Sequence, residues 1–210
     1  MGRDKSWLVP LLGVLFLLVV IVGFMTSGDP PDPTDDSAKE IVDFYVDDKS
    51  TLMVSTYLEG IAALLLVFFA AHLREVLRVA AGGKDFLSTA AFAGLLLIAM
   101  GFTVDASINL ALAESAKDID PAAVQALAAL FHNDFIPFAV GSVIFLLATA
   151  ISVLQHGALP KWIAYVALVL AVIGFTPLGF VAFIGSGLLI AVIGVVLAMR
   201  GRGRAEPATP

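Results

Sequence analysis

The residues with the clearest capacity for chemistry are ionisable side chains that interrupt long apolar stretches of the chain. Glu59 and Asp105 each lie inside such a stretch, and His132 and Asp134 lie near the start of another. An acidic residue at the centre of a membrane helix costs about 2.5–3.5 kcal/mol on insertion scales. If the apolar stretches are membrane spans, these residues are therefore the first candidates for a ligand or proton site.

Residue counting places the two intramembrane acids at one depth. Glu59 lies eight residues after Thr51, and Asp105 lies eight residues before Ala113. If Thr51 and Ala113 mark the same outer face, both acids lie about 12 Å from it at 1.5 Å per residue. Asn109 follows Asp105 by four residues and shares its helical face. The sequence predicts a polar pocket in the outer half of a helix bundle, with these lining residues: Glu59, Asp105, Asn109, His132 and Asp134.

This set of side chains suits a proton, a hard cation or a small cationic solute, because it offers carboxylates and one imidazole but no cationic side chain. His132 and Asp134 are two apart on a helix and point about 200° apart, so both can ligate one ion only if the helix breaks. Pro137 is placed to cause such a break. Two carboxylates and one histidine could instead bind Zn²⁺ or Mn²⁺, so a metal site is an alternative to a proton or solute site.

Other interpretations of the same residues stay open. Glu59 and Asp105 could be protonated and hydrogen-bonded between helices, where they would fix packing and bind nothing. No cofactor is predicted, although His72 and His156, at similar depth on the other side, could clamp a haem. The chain has no HExxH, P-loop or GxSxG pattern, so a non-enzyme is favoured.

The composition indicates which elements hold these residues. Of 210 residues, 60% are hydrophobic and 14% charged, whereas about a quarter are charged in a soluble domain. A soluble globular protein is excluded, and an all-α polytopic membrane bundle is predicted, with the lipid bilayer as its surroundings. The net charge of −6 argues against nucleic acid as a partner, and the absence of cysteine excludes disulfides and thiolate sites.

Six membrane spans are predicted within a single transmembrane domain, residues 1–204. The segment Trp162–Met199 holds 38 residues without a charge. As one helix it would be about 57 Å long, nearly twice the hydrocarbon thickness, so it must turn back at Thr176–Gly179. The predicted spans are about 7–25, 51–73, 86–113, 132–155, 162–176 and 180–199.

Two segments are predicted to lie outside the spans. Residues 28–50 form an acidic linker, in which Ser37 and Glu40 match a capping box for a short helix lying on the membrane surface, its aromatic residues at headgroup level. Residues 205–210 are predicted to be a flexible tail.

The distribution of basic residues predicts that both termini are cytoplasmic. In the six-span arrangement one side carries nine basic residues and the other carries three, Lys39, Lys49 and Lys117. The acidic linker and the predicted pocket then face outward. The nine are Arg3, Lys5, Arg74, Arg78, Lys84, Lys161, Arg200, Arg202 and Arg204.

The turn Gly157–Trp162 (GALPKW), preceded by a helix bearing Asn133 and Asp134 and followed by an apolar hairpin, resembles bacterial six-span integral membrane proteins of unknown function. The Ala/Gly/Val/Leu/Arg-rich composition is similarly typical of a high-GC, actinobacterial-like source. The resemblance implies a multi-pass protein of the bacterial cytoplasmic (inner) membrane, and it carries over no activity or site residue.

Two functions from different classes are therefore expected. In the first, the protein binds or conducts a proton, a cation or a small polar solute, as in a transporter, through the outward-facing pocket. In the second, it is a non-catalytic subunit or scaffold whose small residues, such as Gly94 and Gly101, pack within the bundle, against a second copy or against a membrane partner protein. Carboxylates facing a shared cavity would favour the first.

Overall fold

The structure is a computed structural model that describes residues 6–205, and all regular structure within that range is helical. A 3-10 helix, Ser6–Leu11, leads into the first α-helix. The helices are α1 (Leu12–Thr26), α2 (Ala38–Asp47), α3 (Lys49–Ala80), α4 (Phe86–Ser115), α5 (Pro121–Asn133), α6 (Ile136–His156), α7 (Lys161–Gly174) and α8 (Gly179–Ala205). Arg3, Lys5 and the predicted flexible tail after Ala205 lie outside the described residues.

Within the described range, five helical segments are long and apolar enough to cross a membrane, which indicates a membrane protein. Helix α7 is also apolar, but its 14 residues extend only about 21 Å. The five segments are Trp7–Thr26, Lys49–Ala80, Phe86–Ser115, Pro121–His156 and Gly179–Arg202.

Helices α4 and α6 pack backbone to backbone through glycines. A Cβ atom added to Gly94 would lie 2.5 Å from the Phe145 nitrogen and 2.7 Å from the Gly141 oxygen, and one added to Gly141 would lie 2.7 Å from the Gly94 oxygen. Gly101 likewise receives the Phe138 ring, 2.8 Å from where its Cβ would be. The predicted use of Gly94 and Gly101 in close packing within the bundle is confirmed. Gly60, by contrast, faces open space.

Helices α2 and α5 pack on each other outside the bundle proper and are called the cap below. The predicted capping box is present, with the Ser37 side chain and the Glu40 backbone and carboxylate paired reciprocally. Part of the apolar face of α2 packs against the protein itself, and the position of this helix at the membrane surface stays a prediction. Ile41 and Tyr45 are buried, at 0% and 1% exposure, in one cluster with Val124 of α5. The protein itself covers this face, since α5 supplies the apolar surface that α2 needs.

The fourth apolar stretch is broken at Asp134–Phe135, between α5 and α6. Pro137 lacks an N–H to donate to the carbonyl of residue 133, so a continuous helix would lose that hydrogen bond. The Asn133 side chain donates to the Ala129 carbonyl at 2.8 Å, which occupies one acceptor in the last turn of α5. The break turns Asp134 out of regular helix at the point where α6 enters the bundle.

The remaining turns follow the local sequence. Gly157 ends α6 with φ +73°, a left-handed conformation that glycine adopts at little cost, and the Arg200 guanidinium donates to the Ala158 carbonyl at 2.7 Å to hold this turn against α8. At the other end of the hairpin, the Thr176 hydroxyl donates to the Ile173 carbonyl at 2.6 Å. The chain therefore reverses between Gly174 and Gly179, where the predicted turn lies.

We expect Gly94→Ala to destabilise the fold by about 1–3 kcal/mol, because the added methyl group must push α4 away from α6. Thermal unfolding in detergent, followed by circular dichroism, measures the loss. Gly60→Ala is the matched control on a helix surface with open space, and its midpoint should match that of the wild type. Equal midpoints for the two variants would contradict the close crossing.

The cap should loosen at high pH. Burial raises the pKa of Tyr45 to about 12, above the value near 10 of an unfolded chain. The contribution of the buried, neutral Tyr45 to the free energy of unfolding is therefore complete below about pH 10, and it is lost as the pH rises through about 12. Tyr45→Phe should retain helicity to higher pH than the wild type in an alkaline circular-dichroism titration. Tyr57→Phe, which changes an exposed ring, should lose helicity over the same pH range as the wild type.

Candidate functional site

A cavity of about 540 Å³ lies at the end of the bundle where α1 and α4 end and where α3, α6 and α8 begin, with the cap beside it. We call it the acidic cavity. All five residues that the sequence singled out line it: Glu59 from α3, Asp105 and Asn109 from α4, His132 from α5 and Asp134 from the break before α6.

Three carboxyl groups in this cavity have buried oxygens without a hydrogen-bond partner among the described residues. They are Glu59 Oε2, Asp105 Oδ1 and Asp134 Oδ2. Because Glu59, Asp105 and Asp134 line the same cavity, their carboxyl groups act on one another electrostatically. Negative charges that share a poorly solvated site repel one another, and a proton or a cation would relieve that repulsion.

Asn109 and His132 lie on different sides of the same cavity. The Asn109 side chain is 2% exposed and lies one helical turn from Asp105, so its amide adds a neutral donor and acceptor beside the acids. His132 is exposed at the end of α5, near Asp32 of the linker. The pKa of Asp32 is lowered, first by hydrogen bonds from the Thr34 hydroxyl and backbone and further by His132.

An aromatic cluster lies against the acids and extends deeper into the bundle. The Phe138 ring is 5.0 Å from both the Phe102 and Phe183 rings, between centroids, and the Phe135 ring is 5.8 Å from that of Phe183. Phe180 completes the cluster, and all five rings line the cavity. The cavity thus combines carboxylates with aromatic faces, which is the pairing that binds organic cations.

Sequence reasoning did not identify this aromatic cluster. Phe102 precedes Asp105 by three residues and therefore shares its face, and the pairs Phe135 and Phe138, and Phe180 and Phe183, have the same spacing. That spacing was the available signal. It was hidden because 60% of the chain is hydrophobic, so an aromatic pair facing a cavity looks like one facing lipid.

Residues from outside the spans also contribute. Ser27, Gly28 and Asp29 follow α1 and line the cavity, and Tyr45 of α2 lines it from the cap. Gly28 has φ +73°, which lets the chain turn out of α1 directly beside the acids. Asp29 brings the number of acidic residues in the lining to four, and no lysine or arginine is among them.

The metal and haem alternatives concern opposite ends of the bundle. Within residues 6–205, no three His, Asp or Glu side chains converge closely enough to hold a metal ion. His72 is half-buried on α3 and His156 is exposed at the end of α6, and neither lines the acidic cavity.

Several carboxyl groups, one buried amide and aromatic rings surround one cavity, and this combination suits a positively charged ligand. Comparisons with models of protein families, with curated proteins and with solved structures find no match to this chain.

Proposed function

We propose that this integral membrane protein binds a proton or a small cationic solute in the acidic cavity. The observation that carries the proposal is that Glu59, Asp105 and Asp134 line one cavity, and that each has a buried carboxyl oxygen without a hydrogen-bond partner, while no lysine or arginine among the described residues lines that cavity. Unpaired buried acceptors are costly, and a bound cation or proton offsets that cost.

The cavity supports binding more directly than passage through the protein. Below the acids the aromatic cluster closes the bundle, and beneath it Leu66, Leu95 and Ile98 are buried in a continuous apolar core. A cation crossing the membrane would have to pass this core. Conduction would therefore require the rings to move, as in a transporter that alternates between two states.

The proposal includes six spans, with both termini in the cytoplasm of a bacterium and the acidic cavity facing outward. Helix α7 would be the sixth, and its exposed Trp162 and Tyr165 suit a membrane interface at one end. Described basic residues at the end away from the cavity include Arg74, Arg78 and Lys84, as the positive-inside rule requires of a cytoplasmic face.

The other candidate is a non-catalytic subunit or scaffold that packs against a partner or a second copy. In that case Glu59 and Asp105 would be packing groups hydrogen-bonded to neighbouring helices. Their unpaired oxygens and the shared cavity favour the first function. The experiment below separates the two.

Cation binding should raise the melting temperature of the protein, because a ligand that binds only the folded state stabilises it by about 2.7 kcal/mol at one hundred times Kd. We expect this response to tetramethylammonium, measured in lipid nanodiscs. It should weaken on acidification, since protonation removes the charge that attracts the cation. Glu59→Gln and Asp105→Asn should each abolish most of the shift.

Glu75→Gln is the control for this experiment, because Glu75 is an exposed acid on α3 that pairs with Arg78 at 2.7 Å and does not line the cavity. It should respond like the wild type. A panel of metal cations and a pH series test the inorganic ligands. If no cation shifts the melting temperature and both cavity variants are as stable as the wild type, the acids are packing groups and the scaffold function is favoured.

Topology can be tested in intact cells, because the chain has no cysteine of its own. Lys117→Cys, near the cavity, should react with a membrane-impermeant maleimide, whereas Lys84→Cys, at the other end, should react only after the membrane is disrupted. Thr176→Cys, between α7 and α8, should behave like Lys117→Cys if α7 crosses. The reverse pattern would invert the orientation, and protection of Thr176→Cys would mean that α7 does not cross.

A further inference from the structure

A second cavity, of about 380 Å³, lies between α1 and α8 and adjoins the acidic cavity. We call it the apolar groove. The two cavities have five lining residues in common: Val20, Phe24, Phe102, Phe180 and Phe183. A molecule bound across these shared residues would therefore have one part beside the carboxyl groups and another between the two helices.

The apolar groove offers nothing to a polar ligand. Its one hydroxyl, that of Ser186, already donates to the Phe183 carbonyl at 2.7 Å and lies 3.2 Å from the Ser142 hydroxyl. The other side chains of the lining are apolar, the thioether of Met25 among them, and the missing side chain of Gly187 leaves space against Leu17. A hydrocarbon chain is the group that this surface can accommodate.

The groove opens sideways along the bundle. On α1 the groove extends from Phe16 to Met25, a separation of nine residues or about 14 Å. Ile21 and Ile184 on its walls are 46% and 48% exposed, on the surface that lipid would cover. An alkyl chain could therefore enter from the bilayer, without displacing the cap.

We propose that the ligand is an amphiphile with an ammonium head group in the acidic cavity and a single alkyl chain in the apolar groove. This inference rests on the proposed function and specifies its ligand. Charge decides the head group, because Asp29, Glu59, Asp105 and Asp134 line the cavity without a lysine or arginine. The Phe102 and Phe183 rings, at the junction of the two cavities, would contact the carbons next to the nitrogen, where cation–π attraction is available.

A second observation, independent of the acids, supports a bound head group. Asn109 is 2% exposed and lines the acidic cavity, so its side-chain amide borders the space that the head group would occupy. The carbonyl oxygen of this amide offers the negative end of a dipole to a positively charged head group. A phospholipid is disfavoured as the occupant, because its phosphate would lie among the four acidic residues.

Photo-crosslinking tests the proposal. Full-length protein in zwitterionic nanodiscs is irradiated with dodecyltrimethylammonium that carries a diazirine at the end of its chain, and the labelled peptides are identified by mass spectrometry. We expect label on α1 and α8 along the groove, displaced by unmodified dodecyltrimethylammonium. Asp105→Asn should raise the concentration needed for half-labelling at least about tenfold, because it removes one of the negative charges that attract the ammonium in a poorly solvated site.

Gly187→Leu tests the groove itself, because a Cβ at this position meets only Leu17, at 3.6 Å, and the longer side chain would extend into the groove. It should abolish the labelling of α1 and α8 while leaving the response to tetramethylammonium intact. Gly60→Leu, which places the same side chain on an open helix surface, should be labelled like the wild type.

The outcomes separate this inference from the proposed function. If tetramethylammonium stabilises the protein but the chain labels its whole lipid-facing surface, the acidic cavity binds cations and the amphiphile proposal is wrong. Equal labelling by a neutral or zwitterionic probe with the same chain, independent of Asp105, would show a lipid in the groove and would also overturn it. If neither compound binds, the amphiphile proposal and the binding of an organic cation in the acidic cavity are both wrong.

Discussion

The backbone contact between α4 and α6 at Gly94 and Gly141 sets the position of everything at the acidic cavity. The two helices are antiparallel, so the end of α4 and the start of α6 lie at the same end of the bundle. Asp105 lies eleven residues beyond Gly94, and Asp134 lies seven residues before Gly141. A larger residue at either glycine would separate the helices and with them the two carboxyl groups that line the acidic cavity.

The surroundings of these acids explain why the cavity is expected to hold charge. The cap borders the cavity on one side through Phe44 and Tyr45, and the aromatic cluster borders it on the other. Electrostatic interactions are stronger where water is excluded, so both the repulsion among the acids and their attraction for a cation are larger than on an exposed surface. Binding and protonation then compete for the same oxygens, which couples any ligand to pH.

The acidic cavity and the apolar groove meet because α1 and α8 do not pack tightly along their full length. Near the start of α1 they are in close contact, since a Cβ at Gly194 would lie 2.5 Å from the Pro10 carbonyl oxygen. Toward the acidic cavity they diverge around Gly187, and the space between them opens to the lipid side. One cleft is therefore polar at its end and apolar along its length, which is the polarity of a single-chain amphiphile.

The sequence by itself determined an all-helical membrane protein, the reversal at Thr176–Gly179, the capping box at Ser37 and the equal depth of Glu59 and Asp105. These follow from local rules: charge-free runs of spanning length, helix-start signals and a fixed rise per residue. Only the tertiary structure decided that α2 packs on α5, that five phenylalanine rings close the cavity and that a groove separates α1 from α8. In a membrane protein both the lipid-facing and the inward-facing residues are apolar, so hydrophobic periodicity does not distinguish the two faces of a helix. Which helices contact each other is therefore decided by the tertiary packing.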